Sequence, residues 1–304
     1  MKKFILKLLI FLMFLTISDY ILGAVLKELF FTYSTRGNQK VIYTIKQANA
    51  DVYFFGSSRA YHTYVSSIFS DSLNLKCANV GRDGQLIYYH YAILNVLLKR
   101  STPKIAVFEL VTNDYIKVDK KDDFDRLSVL LPFYDEYPEL EEVIYKRGPS
   151  EKYKLLSKSY PYNSLIFNIT RSMLDRTQNL TFDGYEPLYG VYGQKIRNID
   201  KEIETEDDEK FSILEKIFQK LKDINCDIYV IRSPVFAIDN NPTINLRFKN
   251  LMNKCSVEFL DYQSDSVILS HPEWFYDVGH LNHAGATYFS GEIAHQIKIR
   301  REGK

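Results

Sequence analysis

The chain has 304 residues, 46% of them hydrophobic and 25% charged, with 39 Lys and Arg against 38 Asp and Glu. That composition excludes wholesale disorder, and a net charge of +1 leaves no overall positive field to gather nucleic-acid phosphates. Three cysteines without a C-x-x-C pair exclude a disulfide-dense scaffold and a cysteine-based zinc module.

The N-terminus reads MKKFILKLLIFLMFLTISDYILGAVLKELFF. From Phe4 to Leu26 an apolar stretch long enough for a helix of roughly 34 Å would cross a bilayer core. A cleaved signal peptide needs small residues in an A-x-A arrangement, and the bulky Tyr20 stands after Ser18-Asp19 instead. The segment 1–33 is therefore read as an uncleaved anchor, with a cleaved signal or a soluble helix as alternatives. Lys2, Lys3 and Lys7 predict a single-pass protein with its N-terminus in the cytoplasm and its body, 34–304, outside the membrane.

Past a polar connector, short apolar runs alternate with helical patterns. Strands are expected at 51–56, 75–80, 104–111, 227–231 and 257–260, each nearly continuous in hydrophobicity, as strands buried on both faces must be. Helices are expected at 64–73, 84–99, 209–224, 243–253 and about 283–299. This alternation predicts an α/β fold, a parallel sheet of about five strands between two helical layers. The stretch at about 115–205 interrupts it and reads as an insertion, a lid or substrate wall or else a structural cap. Cys226 and Cys255 precede the last two strands, where they would be either a bridged pair or two buried thiols.

Sites in parallel sheets sit at the carboxyl ends of the strands. Strand one ends in Gly56-Ser57-Ser58-Arg59, where a tight turn would expose a serine hydroxyl and its backbone N–H. Strand two ends in Asn79-Val-Gly81-Arg-Asp-Gly84, whose glycines let the backbone approach a ligand. Strand three ends in Val111-Thr112-Asn113, offering a side-chain amide. Near the C-terminus, Asp277-Val-Gly-His280 lets a carboxylate orient an imidazole whose other nitrogen can take a proton. Arg59 and Arg232, which follow strands one and four, are weaker candidates for substrate binding; Arg232 could grip an anionic substrate group or equally pair with a carboxylate of the insertion. His62 reads as a helix-starting residue or a substrate contact, and His271 with Trp274 as loop packing or a sugar-facing rim. Asp277, His280 and His283 have no obvious fourth metal ligand, so no metal site is assigned.

Taken together, Gly56-Ser57-Ser58, Gly84, Asn113 and Asp277-x-x-His280 resemble the four ordered blocks of the SGNH (GDSL-type) hydrolase superfamily. The resemblance covers 51–289. It implies a three-layer α/β/α sandwich with strand order 2-1-3-4-5, Ser58 as nucleophile, His280 as base and Asp277 as its partner. It implies an oxyanion hole from the N–H of Ser58, the N–H of Gly84 and the amide of Asn113. Departures are Ser57 and Arg59 in the first block, and Val111-Thr112 where Gly usually precedes Asn. The implied function is a cofactor-free serine esterase or O-acyltransferase, hydrolase favoured, acting on an acylated carbohydrate or other small ester outside the membrane. The alternative is a non-catalytic envelope module that binds a glycan or a membrane acyltransferase partner.

Overall fold

The computed structural model describes residues 1–117, 119–174, 183–192, 205–236 and 242–303. Five strands, β1 (Val52–Phe55), β2 (Cys77–Asn79), β3 (Ile105–Glu109), β4 (Asp227–Arg232) and β5 (Glu258–Asp261), pair in parallel in the order 2-1-3-4-5. The fold class is thus as expected from the alternation of strands and helices, and the strand order is the one the resemblance implied. The helices that matter here are, in chain order, α1 (Lys2–Thr32), α2 (Ser58–Thr63), α3 (Ser66–Leu73), α4 (Ile87–Leu97), α5 (Glu151–Lys154), α6 (Ile166–Leu174), α7 (Asp208–Lys222), α8 (Pro242–Cys255) and α9 (His283–Glu302).

The chain divides into two compact units, 43–119 with 180–304 and 1–42 with 120–179. The N-terminal helix groups with residues 120–179, the middle of the stretch expected as an insertion at about 115–205.

The first-named unit holds the sheet. Strand side chains alternate between its faces. Val52, Phe54, Val107 and Ile231 belong to one cluster with Phe69 of α3 and Phe289, Ile293 and Ile297 of α9. On the other face Phe55 stacks on its register partner Phe108 at 4.7 Å, and Phe108 meets Phe218 of α7 edge-on. His90 of α4 packs edge-on to Phe55; burial pushes its pKa down to about 3, so it is a neutral core group. The helix expected at 64–73 is α3, which starts at Ser66, and a separate helix not expected from the sequence, α2, precedes it. Ser290 of α9 explains the break, accepting from the Val65 N–H at 2.9 Å and donating to the Thr63 carbonyl at 3.0 Å. Cys226 and Cys255 are free thiols, and burial pushes that of Cys226 up to about 12.

The second unit contains α1. This helix is exposed on all sides through Ile17, then buries Gly23, Leu26 and Phe30. Phe30 meets Phe133 and Tyr162 at ring distances of 6.1 and 5.9 Å. Asp19 accepts from the Ser157 and Ser159 hydroxyls at 2.7 and 2.6 Å and from the Lys158 and Ser159 amides at 2.7 and 3.2 Å. A Cβ at position 23 would lie 2.5 Å from the Lys158 backbone, so only glycine lets the loop lie this close. Among the described residues, α1 is the one helix long and apolar enough to cross a membrane.

Candidate active site

Ser58 is the first residue of α2, immediately after β1 and a two-residue turn. The turn depends on Gly56, whose φ of +143° suits glycine and whose Cβ would sit 2.8 Å from that of Ala60 and 2.9 Å from that of Glu109. Asn79, at the end of β2, pins the same helix: its amide donates to the carbonyls of Ala60 and Tyr64 at 2.8 and 3.0 Å. The serine thus stands on a short helix clamped by both neighbouring strands.

His280 and Asp277 reach Ser58 from the loop before α9. The His280 Nε2 lies 2.7 Å from the Ser58 Oγ, and its Nδ1 lies 2.9 and 3.0 Å from the Asp277 carboxylate oxygens. A carboxylate can only accept, so Nδ1 carries the proton and Nε2 is left to receive one from the serine. Burial opposes ionisation of Asp277, but the His280 ring and the N–H groups of Gly279 and His280 hold its carboxyl below the ordinary range. Asn282 caps α9 by accepting from the Gly285 N–H at 3.1 Å, which fixes where the loop ends.

The other implied donors arise from neighbouring strand ends. Strand order 2-1-3 sets the segments after β2 and β3 on either side of Ser58. Gly84 lies in the turn after β2, with φ of +65°. Asn113 lies on the 3-10 turn Thr112–Tyr115 after β3, and its side chain lies outside the described residues.

Two features escaped the sequence reading. His62, one turn after Ser58, bonds through Nδ1 to the Glu186 carbonyl at 2.7 Å and through Nε2 to Asp83 at 3.0 Å, with its ring 6.2 Å from that of His280. It ties the Gly84 loop to residues 183–192, part of the Gly/Tyr-rich tract of the insertion. That segment is a strap. It also accepts from the His283 N–H at Leu188 (2.8 Å) and from the Asn282 amide at Gly190 (2.8 Å), and Tyr192 donates to the Phe275 carbonyl at 2.7 Å. The insertion therefore returns across the site, joined to both the helix of Ser58 and the loop of His280. The signal was available in the tract's aromatic and glycine content, but nothing in its spacing said what it would touch.

The second feature corrects the reading of Arg59. Its guanidinium is buried, 2.8 Å from Glu109 at the end of β3, and donates to the Ser233 hydroxyl and carbonyl. Glu109 also accepts from the Ser233 hydroxyl at 2.7 Å and the Tyr64 hydroxyl at 2.5 Å. An arginine so engaged supports the helix behind Ser58 and offers nothing to a substrate. Arg232 is likewise buried, donating to Asp261, Gln263 and Asn245, so its carboxylate partner comes from β5 and not from the insertion. Glu109 itself was overlooked; a carboxylate inside the apolar run IAVFELV needs a buried partner. His283, considered as a ligand, meets the Tyr185 hydroxyl at 2.9 Å, and His271 stacks on Trp274 at 4.0 Å. Among the described residues no group of three or more potential ligands could hold a metal ion.

No family model matches the chain, and no curated protein matches it. Among solved structures it is similar to a Bacteroides fragilis protein described as a "putative acylhydrolase", at 14% identity and a TM-score of 0.41, over 88% of this chain and 95% of that one.

Proposed function

We propose that the protein is a serine esterase of the SGNH type, anchored in a membrane by α1 and acting on O-acyl groups of a glycan outside it. The observation that carries this reading is the Ser58–His280–Asp277 relay, with hydroxyl, imidazole and carboxylate in line at 2.7 and 2.9 Å. The Ser58 Oγ attacks the ester carbonyl carbon while its proton passes to the His280 Nε2. The tetrahedral intermediate collapses, the C–O bond breaks, and His280 returns that proton to the departing alcohol. Water, or a sugar hydroxyl in the transferase variant of the reaction, then adds to the acyl-enzyme through the same base and frees Ser58. The N–H groups of Ser58 and Gly84, with the Asn113 amide, are the proposed oxyanion donors.

A sugar acceptor is supported by two exposed rings beside the relay. Tyr276 precedes Asp277 and donates its N–H to the His280 carbonyl, and Tyr189 on the strap lies 5.6 Å from the His283 ring. The tract lining the site suits the flat, C–H-rich face of a pyranose. Tyr276→Ala should raise KM for an acetylated oligosaccharide by about fivefold, the equivalent of ~1 kcal/mol, and raise it far less for p-nitrophenyl acetate. Equal changes for both esters would remove the ring from glycan recognition.

The reading as a whole is tested by treating the full chain in mild detergent with a fluorophosphonate probe and locating the adduct by mass spectrometry. An adduct on Ser58 that disappears in His280→Ala is the expected result. A folded protein that takes up no probe would sink the enzymatic reading.

A further inference from the structure

The unit that carries α1 has an outer surface unlike that of a water-facing domain. Tyr153 on α5 and Leu156 just after it are 70% and 74% exposed, and Phe167 on α6 is 76% exposed. Ile166 and Met173 are exposed on α6 as well, while the opposite face of that helix buries Ile169 and Ser172. Such an apolar outer face on a small unit calls for a partner.

The position of this surface relative to α1 identifies that partner. A hydrocarbon core of ~30 Å needs about 20 helical residues. Counted from Lys3, such a span ends near Leu22, yet the structure exposes α1 on all sides only through Ile17. From Asp19 onward one side of the helix is covered by the loop 157–159, while Tyr20, Ile21, Leu22 and Val25 stay exposed on the other. The last turns of the span therefore share their depth with protein. Leu156 adjoins Ser157, whose hydroxyl donates to Asp19, and α6 packs against the same helix. Four donors satisfy the Asp19 carboxylate, as a carboxylate at that depth requires. Lys152 and Arg171 flank these apolar side chains in sequence, the mixture of long cations and aromatic rings found at the headgroup level, while Lys154 and Lys158 are paired with Glu151 and Asp135 at 2.8 and 2.9 Å.

We propose that this face of the insertion, Tyr153 and Leu156 with Ile166 and Phe167, is seated in the headgroup–acyl boundary of the leaflet from which α1 emerges. Its partner is a bilayer containing anionic lipid. The insertion is then a collar around the anchor, a second membrane contact beyond the single span. The proposal rests on the reading of α1 as membrane-spanning, and the test separates the two.

The chain has one tryptophan, Trp274, so Trp274→Phe gives a silent background. In that background, full-length Phe11→Trp, Leu156→Trp and Phe167→Trp are reconstituted singly into phosphatidylethanolamine/phosphatidylglycerol vesicles with brominated acyl chains. Strong quenching of Phe11→Trp, with Leu156→Trp and Phe167→Trp quenched at least half as strongly, is the expected pattern. Quenching at position 11 alone would overturn the collar and leave the anchor standing, the surface then belonging to a protein partner. No quenching at position 11 would overturn both.

Discussion

Ser58→Ala is expected to lower kcat for a small acyl ester by roughly 10⁴- to 10⁶-fold, because nucleophile and base act as one unit and removing either forfeits nearly all of their joint effect. His280→Ala should cost about as much, and the double variant little more. Asp277→Asn should lose on the order of 10⁴-fold with the loop intact, since an amide can present its N–H to Nδ1 and favour the wrong tautomer. The hydrogen bonds from the His280 ring and the Gly279 and His280 amides keep the Asp277 carboxylate ionised below its ordinary range. Its contribution to stability is therefore complete above the unfolded-state pKa and is lost only as pH falls through the lower folded one. Steady-state kinetics on the four proteins decide the matter. A Ser58→Ala enzyme retaining a tenth of the wild-type rate would remove that serine from the mechanism.

Glu109→Ala should be the most damaging substitution to folding, at about 3–5 kcal/mol. It strands the Arg59 guanidinium in the interior and removes the acceptor of the Tyr64 and Ser233 hydroxyls. Burial and the neighbouring carboxylate push the Tyr64 phenol well above its ordinary value, so it remains a donor at every pH of interest. The cost comes from the orphaned charge, and Arg59→Met combined with Glu109→Leu should recover much of it. Urea unfolding of the full chain in detergent provides the comparison. If Glu109→Ala unfolds at the wild-type midpoint, the buried pair is not what holds α2 against β3 and β4.

The sheet was legible because its strands are buried on both faces: VYFF, IAVFE and DIYVI admit few other states, and their alternation with helical patterns dictates parallel pairing. Ser58, Asp277 and His280 were legible because each stands at a strand or helix end, where chemistry and sequence order constrain each other. Partners were not. Arg59 looked like a substrate group because nothing local reveals that Glu109, fifty residues later, lies beneath it on the adjacent strand. His62 gave no sign of joining Asp83 to Glu186, since both bonds depend on how the insertion returns. The division into units was hidden for the same reason: Asp19 finds its donors at 157–159, a contact no periodicity records.

The relay has a further consequence in time. Ser58 and His280, hydrogen-bonded through Oγ and Nε2, are 222 residues apart in the chain. During synthesis the serine emerges early beside a strand whose neighbours are still missing, and β4 and β5 are needed before the loop of His280 has a surface to dock on. A chain that emerges N-terminus first thus carries Ser58 without its histidine partner until the loop before α9 docks. In the proposed reaction, reactivity begins only once that loop is in place.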